Sequence, residues 1–173
     1  MKKLAPVSIL FILIVCNLSI ADEQATFAGG CYWCMEEAME KVPGVHTVTS
    51  GFASGIEAVQ LTFDPAQISY EKLLDSFWKN VDPTDGEGQF CDRGARYQSA
   101  IFYANAGQKS AAEKSKEEIA KVLGKSIATQ VVELKDFSPV AESEQDYYKK
   151  HVYEYKQYKM RCGRSRRLGS IWK

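Results

Sequence analysis

A strand that passes through two glycines directly into a helix constrains this fold more than any other feature. The segment QATFAGG (24–30) is predicted to be a short strand, and CYWCMEEAMEKV (31–42) has helical spacing and is closed by Pro43. Glycine allows the sharp turn that joins the two elements. The sequence therefore predicts a βα unit with Cys31 and Cys34 in the first turn of its helix.

The rest of the chain alternates between strand and helix patterns. Strands are predicted at HTVTSGFA, EAVQLTFDP, YQSAIFYA and IATQVVELKDF, and helices at ISYEKLLDSFWKNV, AGQKSAAEKSKEEIAKVL and AESEQDYYKKHVYEYKQYK. No repeat or Gly/Ser-rich linker divides residues 22–173, so one catalytic domain is predicted. The order β-α-β-β-α-β-α-β-α indicates an α+β fold, a mixed ferredoxin-like sheet with packed helices.

Residues 1–21 have a different composition from the rest of the chain. Lys2 and Lys3 precede an apolar run, and Ser19 and Ala21 form an A-x-A-like cleavage site. This pattern is typical of a secretory signal peptide and predicts export to the periplasm or another extracytoplasmic compartment. A membrane anchor is the alternative, but the run is short and no basic stop follows, so no stable insertion is expected after cleavage.

The charge balance excludes some partners. The formal net charge is zero, which gives no basic field for nucleic acid. The chain has only two histidines, His46 and His151, which disfavours a histidine-rich metal centre, and no bound metal is predicted. We expect a monomer.

Four cysteines remain after signal cleavage, and an even number in an oxidising compartment favours disulfides. A helix N-terminus stabilises a thiolate, so the pKa of Cys31 is expected to be lowered. Cys34 lies one turn later, within reach of a disulfide. The pair is therefore predicted to cycle between dithiol and disulfide. The four are Cys31, Cys34, Cys91 and Cys162.

Three other interpretations of the cysteines stay open. A zinc site needs four ligands, but Cys91 and Cys162 are far apart in the sequence. Two inert buried sulfurs would fit poorly behind a double glycine. A thioredoxin-type exchange site commonly has an aromatic residue before its first cysteine, where this chain has Gly30, and it needs a cis-proline, for which Pro43 is too close.

The two aromatic residues between the cysteines suggest a ligand. Tyr32 and Trp33 would form an apolar wall beside the thiol, suited to a small apolar group such as a methyl next to a polar sulfur. The alternative is that one or both belong to the hydrophobic core.

Three blocks of the sequence resemble a known family. GGCYWCMEE is similar to the signature of the A-type peptide methionine sulfoxide reductases, and two later blocks are similar to the same family: FDPAQISYEKLLDSFWKNVDPTDGEGQFCDRGARYQSAIFYA and QDYYKKHVYEYKQYKMRCGRSRRLGSIW. The resemblance covers nearly all of residues 22–173. It implies a ferredoxin-like core and reduction of protein-bound methionine sulfoxide, with selectivity for the S epimer.

The resemblance also implies roles for individual residues. Cys31 matches the nucleophile that attacks the sulfoxide sulfur, and Tyr32 and Trp33 match the aromatic pair that receives the methyl group. Glu57 matches the acid that protonates the oxygen. A buried carboxyl keeps its proton near neutral pH, although from its strand alone Glu57 could equally face solvent.

Two further residues are implied to hold the sulfoxide oxygen. They are Asp92 and Tyr97, in CDRGARY. Without the resemblance, Asp92 would be interpreted as a turn residue and Tyr97 as an aromatic residue of a strand.

The implied cycle forms a sulfenic acid on Cys31 and then a disulfide. Cys34 is predicted to be the resolving thiol because it is three residues away on one helix. Cys91 and Cys162 could either relay the disulfide outward or form a structural bridge. A thioredoxin-like dithiol protein is expected as co-substrate, with no bound cofactor.

The chain departs from the family pattern before the predicted acid. Only ASGI separates Phe52 from Glu57, so the loop that supplies another tyrosine to the oxygen is missing, and AESEQDYY replaces a stretch richer in tyrosine and histidine. We expect an active enzyme with a more open site. The alternatives are a peptide-binding relative with weakened catalysis and a general thiol–disulfide exchange protein.

Overall fold

The computed structural model describes residues 21–172, so the predicted signal peptide lies outside the described residues except for Ala21. In this range the strands are β1 (Glu23–Gly29), β2 (Val45–Ala53), β3 (Ile56–Phe63), β4 (Gly88–Gln89), β5 (Asp92–Arg93), β6 (Ser99–Tyr103), β7 (Gln130–Glu133) and β8 (Ser138–Pro139). The helices are α1 (Tyr32–Met39), α2 (Tyr70–Trp78), α3 (Ala106–Leu123), α4 (Tyr147–Lys150), α5 (Val152–Cys162) and α6 (Arg164–Ile171).

Six of these strands form one mixed sheet in the order β7-β6-β1-β3-β2-β8. Strands β6 and β7 run parallel, and the other neighbouring pairs are antiparallel. The strands β4 and β5 form a separate small hairpin. The predicted α+β, ferredoxin-like fold is confirmed. None of the helices in the described range is long and apolar enough to span a membrane.

The core lies between the sheet and α2. Ser69 begins this helix, and its side chain accepts a hydrogen bond from the Lys72 N–H. The predicted apolar stripe faces the sheet, where Phe77 is fully buried and stacks on Phe27 of β1 at 5.2 Å between ring centroids. Burial of such large aromatic side chains is a main source of stability in the fold. The end of β1 is therefore held rigidly where it turns toward Cys31.

Both glycines of the β1–α1 turn are required by close packing. A Cβ atom on Gly29 would lie 2.4 Å from Sδ of Met35. Gly30 has a φ of +79°, and a Cβ there would lie 2.6 Å from Cβ of Gln89. The turn delivers Cys31 to the N-cap position of α1.

The prediction of a single C-terminal helix was wrong. The predicted range 141–159 contains α4 and most of α5, because His151 between them leaves helical geometry (φ −124°, ψ 55°). Beyond it, Gly163 adopts a left-handed conformation (φ 68°) and separates α5 from α6. Asp146, at φ 55°, precedes α4, so the residues before it are not helical. The two breaks let the segment fold back across the cysteine pair.

Glu36, on α1, is a buried carboxyl that makes stability depend on pH. Only 1% of its surface is exposed. Its Oε1 accepts a hydrogen bond from the Asp146 N–H (3.0 Å), while Oε2 has no partner among the described residues. Burial raises the pKa of this carboxyl to about 7. The folded state therefore holds the proton more tightly than the unfolded chain does.

We expect Glu36→Gln to remove this contribution. Because the folded pKa is raised, the stability present below pH 4.5 is lost as the pH rises through about 7. Urea unfolding at about pH 5 and about pH 8 is expected to show a loss of about 2 kcal/mol in the wild type that the variant lacks. The control is Glu117→Gln, at an exposed position of α3. Parallel pH curves for Glu36→Gln and the wild type would contradict the expectation.

Candidate active site

The turn after β1 opens onto a cavity of about 240 Å³. Six of the residues singled out in the sequence line it, although they come from β1–α1, β3, β5 and the 3₁₀ turn Ala95–Tyr97. Two further side chains, Arg96 and Tyr158, were not predicted. The lining residues are Cys31, Tyr32, Trp33, Glu57, Asp92, Arg96, Tyr97 and Tyr158.

Cys31 is the thiol at this cavity, and its protonation differs from the prediction. The neighbouring Cys34, followed by burial, raises the pKa of the Cys31 thiol well above its ordinary value. The nearby Tyr158 side chain acts in the opposite direction and lowers the pKa. The expected lowering by the helix N-terminus therefore does not dominate at Cys31.

Cys34 carries the lowered pKa instead. A hydrogen bond from Cys31 is the largest cause, and the positive charges of Arg164 and Lys159 and the hydroxyl of Tyr155 add to it, so that the pKa falls to about 6 despite burial. The Tyr155 hydroxyl lies 3.6 Å from Sγ of Cys34. Cys34 therefore loses its proton more readily than Cys31, and among the described residues these two are the cysteines outside disulfides.

Glu57 is a buried carboxyl facing the same cavity. It is 5% exposed, and its Oε2 accepts a hydrogen bond from the Tyr32 N–H (3.1 Å). Its Oε1 accepts from Nε of Arg96 (2.9 Å). Burial raises the pKa of Glu57, although Tyr32 and Arg96 oppose the shift. Glu57 therefore retains its proton to higher pH than an ordinary glutamic acid.

The aromatic residues form the predicted wall. Tyr32 and Trp33 meet edge to face at 5.9 Å, and Trp33 stacks on Tyr147 of α4 at 3.8 Å with an interplanar angle of 11°. Tyr158 approaches Trp33 edge-on at 6.0 Å. Tyr32 also packs in the core, so the two interpretations of this residue are compatible. The wall presents apolar surface beside the Cys31 thiol.

Asp92 and Tyr97 line the same cavity as the aromatic wall. The Tyr158 hydroxyl donates a hydrogen bond to Oδ2 of Asp92. Tyr97 ends the 3₁₀ turn, two residues before β6. No sequence signal marked Tyr158 as a partner of Asp92, because the contact depends on how α5 docks onto the β4–β5 hairpin.

A disulfide joins Cys91 to Cys162, 71 residues apart. It links the β4–β5 hairpin to the end of α5, the two elements that carry Asp92 and Tyr158. The sequence left open whether these two cysteines relay the disulfide outward or form a bridge with each other. In the structure they form a bridge with each other. The disulfide therefore helps to keep the Asp92–Tyr158 contact over the cavity.

The loop before Glu57 is a tight hairpin turn. Ser54 and Gly55 connect β2 to β3, both with positive φ (50° and 79°). In place of a longer loop, the Arg96 guanidinium lies over the ring of Phe52 at 4.8 Å. This cation is the unpredicted polar group closest to Glu57.

Two neighbouring thiols can store two electrons as a disulfide, and one of them opens onto a cavity that also contains a buried carboxyl group. The fold and site thereby define a thiol-dependent oxidoreductase. The sequence model of the family described as peptide methionine sulfoxide reductase matches residues 23–56 and 53–173. The chain belongs to this family.

Known proteins of the same kind resemble the chain over most of its length. Peptide methionine sulfoxide reductase MsrA of Bacillus licheniformis is 43% identical over 169 residues, covering 87% of this chain and 93% of that protein. The MsrA/MsrB protein of Vibrio cholerae is 42% identical over 169 residues, and the match spans only 45% of its length.

Solved structures agree with the fold. The crystal structure of Mxr1 from Saccharomyces cerevisiae in reduced form superimposes with a TM-score of 0.74 at 26% identity, covering 77% of this chain and 87% of that one. Methionine sulfoxide reductase A of Corynebacterium diphtheriae gives a TM-score of 0.68 at 25% identity, covering 76% of each chain. Mxr1 in complex with Trx2 gives 0.58 at 27% identity, covering 73% and 85%.

Proposed function

We propose that this protein reduces methionine S-sulfoxide, in proteins and as the free amino acid, to methionine. One observation carries the proposal: Cys31, Glu57 and the aromatic wall line the same cavity. A sulfoxide with its methyl group against Tyr32 and Trp33 places its sulfur at Cys31 and its oxygen toward Glu57. The family match and the MsrA relatives support this activity.

The first step transfers oxygen from substrate to enzyme. The Cys31 sulfur attacks the sulfoxide sulfur and gives up its proton to the neighbouring Cys34 sulfur. Glu57 protonates the sulfoxide oxygen, which is otherwise a poor leaving group. Asp92 and Tyr97 hold that oxygen. The hydroxyl then passes from the substrate sulfur to Sγ of Cys31 as the bond between the two sulfurs breaks. Methionine leaves with the electron pair of that bond, and Cys31 becomes a sulfenic acid.

The second step forms a disulfide. Cys34 attacks Sγ of Cys31, and the sulfenic oxygen leaves as water. Cys91 and Cys162 are joined to each other, so among the described residues Cys34 is the other free thiol, and it lies in the first turn of α1 next to Cys31. An external thioredoxin-like dithiol then reduces the Cys31–Cys34 disulfide, and the sulfurs carry the electrons without a bound cofactor. The complex of the relative Mxr1 with Trx2 supports this kind of reductant.

We expect Cys34→Ser to separate the two steps. Enzyme reduced beforehand and freed of reductant is expected to release about one methionine per chain from the S epimer, because Cys31 remains. Steady-state turnover with thioredoxin is expected to fall about a hundredfold, because no disulfide forms for it to reduce. Methionine and free thiols are measured together. Wild-type turnover by the variant would contradict the role of Cys34.

The same assay distinguishes the other functions. Binding of a sulfoxide peptide without methionine release would indicate a binding protein, and insulin reduction without methionine release would indicate a thiol–disulfide exchange protein. The R epimer serves as the stereochemical control. Loss of S selectivity would contradict the proposed orientation of the methyl group.

We further propose that the protein is exported. The composition of residues 1–21 supports a signal peptide, and the Cys91–Cys162 disulfide suits an oxidising compartment. Fractionation of expressing cells, with mass determination of the mature chain, tests this. A cytoplasmic chain that retains residues 1–21 would overturn it.

A further inference from the structure

Cys34 lies at a second cavity, different from the one that Cys31 faces. This cavity has a volume of about 310 Å³, and its lining shares no residue with that of the first cavity. Its wall is formed by the outer side of α1 and by the end of α5 and the start of α6. The two sulfurs of the redox pair therefore open onto separate spaces.

The second cavity has an excess of positive charge. Three cations, Lys41, Lys159 and Arg164, line it together with one carboxylate, Glu37. Burial opposes ionisation of Glu37, but hydrogen bonds from Lys159 and Lys41 outweigh it and lower its pKa to about 2. Lys41 lies 2.7 Å from Glu37 and is 66% exposed, at the mouth of the cavity.

The positive charge is fixed in place behind the sulfur. Arg164 is 4% exposed and donates hydrogen bonds to the carbonyl oxygens of Gly29 (3.1 Å) and Asn80 (2.5 Å). Lys159 forms an ion pair with Glu37. These cations would attract a reductant that arrives as an anion and would hold it against Sγ of Cys34.

We propose that this second cavity is the reductant site, which admits an anionic thiol to Sγ of Cys34 while the sulfoxide uses the first cavity. The inference rests on the proposed function. It adds which sulfur the reductant attacks and through which cavity the reductant arrives. The thiolate could belong to a small acidic thiol or to a thioredoxin-like protein. Both present the same reacting group, and the test has an arm for each.

A reductant thiolate attacks Sγ of Cys34, the Cys31–Cys34 bond breaks, and Cys31 leaves as a thiolate that takes up a proton. A second reductant thiol attacks the reductant sulfur of the mixed disulfide and releases the Cys34 thiolate. Two thiols are oxidised to one disulfide, and the enzyme gains two electrons. Cys31 is thereby restored at the substrate cavity without the reductant passing through it.

The test uses the full mature enzyme, oxidised by one turnover of sulfoxide. Its reduction is timed with mercaptoethanesulfonate (anionic), 2-mercaptoethanol (neutral) and cysteamine (cationic), with rates corrected for thiolate fraction. We expect the wild type to prefer the anion. In Lys41→Glu the rate with the anion is expected to fall roughly three- to tenfold and the rate with the cation to rise. Equal charge preference in wild type and variant would overturn the proposal.

Two further variants test whether the effect depends on the second cavity. Lys114→Glu changes an exposed lysine that also pairs with a glutamate four residues away, on α3, and is expected to leave all three rates unchanged. Ala38→Phe narrows the second cavity and is expected to slow all three thiols, while the first methionine is still released. Equal slowing of methionine release would show damage to the whole site and would overturn the separate routes.

Timing the reduction with thioredoxin as well identifies the source of the thiolate. Slower reduction of Ala38→Phe by thioredoxin as well as by small thiols would assign the cavity to the protein reductant. Slowing with small thiols alone would assign it to them, and no slowing with either would overturn the proposal. Because methionine release is measured separately, failure of the sulfoxide reductase function would appear as absent methionine, not as a changed reduction rate.

Discussion

Cys31→Ser is expected to release no methionine, even in the first turnover. Cys31 is the cysteine that shares a cavity with Glu57, whereas Cys34 faces the second cavity. A serine hydroxyl is a far weaker nucleophile than a thiol at neutral pH, so the rate of methionine formation is expected to fall at least about a thousandfold. Methionine is quantified after mixing reduced, reductant-free enzyme with S-sulfoxide peptide.

The Cys31→Ser experiment also decides which of the two thiols attacks the sulfoxide. The neighbouring thiols shift each other in opposite directions, so that the pKa of Cys34 is lowered while the pKa of Cys31 is raised. If thiolate population alone decided reactivity, Cys34 would be the nucleophile. If position decides it, Cys31 attacks while Cys34 takes its proton. One methionine per chain from Cys31→Ser, with none from Cys34→Ser, would assign the attack to Cys34 and contradict our mechanism.

Long helices could be located from the sequence. Helix α3 has the same bounds as the predicted helix, and in the structure Asn105 caps its start with a side-chain hydrogen bond while Gly124 ends it in a left-handed conformation. The β4–β5 hairpin and β8 were missed, since strands of two residues show no periodicity. Both form only when other parts of the chain dock against them.

Part of the site could be predicted because its residues are close together in the sequence. Cys31, Cys34 and the aromatic residues between them occupy one short stretch, so local spacing brings them together. The Arg96–Glu57 ion pair joins residues 39 positions apart through a 3₁₀ turn, and it could not be read from spacing. Tyr158 reaches Asp92 because α5 is bridged to the neighbouring hairpin. Of these unpredicted contacts, the one from Arg96 opposes the rise in the pKa of Glu57 that burial causes.

Glu57→Gln is expected to lower the first-turnover rate by about a hundred- to ten-thousandfold, the range for loss of a general acid. Glutamine can still accept the hydrogen bond from the Tyr32 N–H, so folding is preserved, but it has no proton to give to the sulfoxide oxygen. Glu87→Gln, an exposed position at the β4–β5 hairpin, is the matched control and is expected to keep the wild-type rate.

The pH profile distinguishes a proton donor from a residue that only shapes the cavity. Because the raised pKa of Glu57 keeps it protonated to higher pH, the wild-type rate is expected to fall as the pH rises through that pKa. Glu57→Gln is expected to lack this fall. Arg96 holds the pKa of Glu57 down, so Arg96→Gln is expected to move the fall to higher pH. A first-turnover rate with the same pH dependence in all three proteins would assign the proton to another donor.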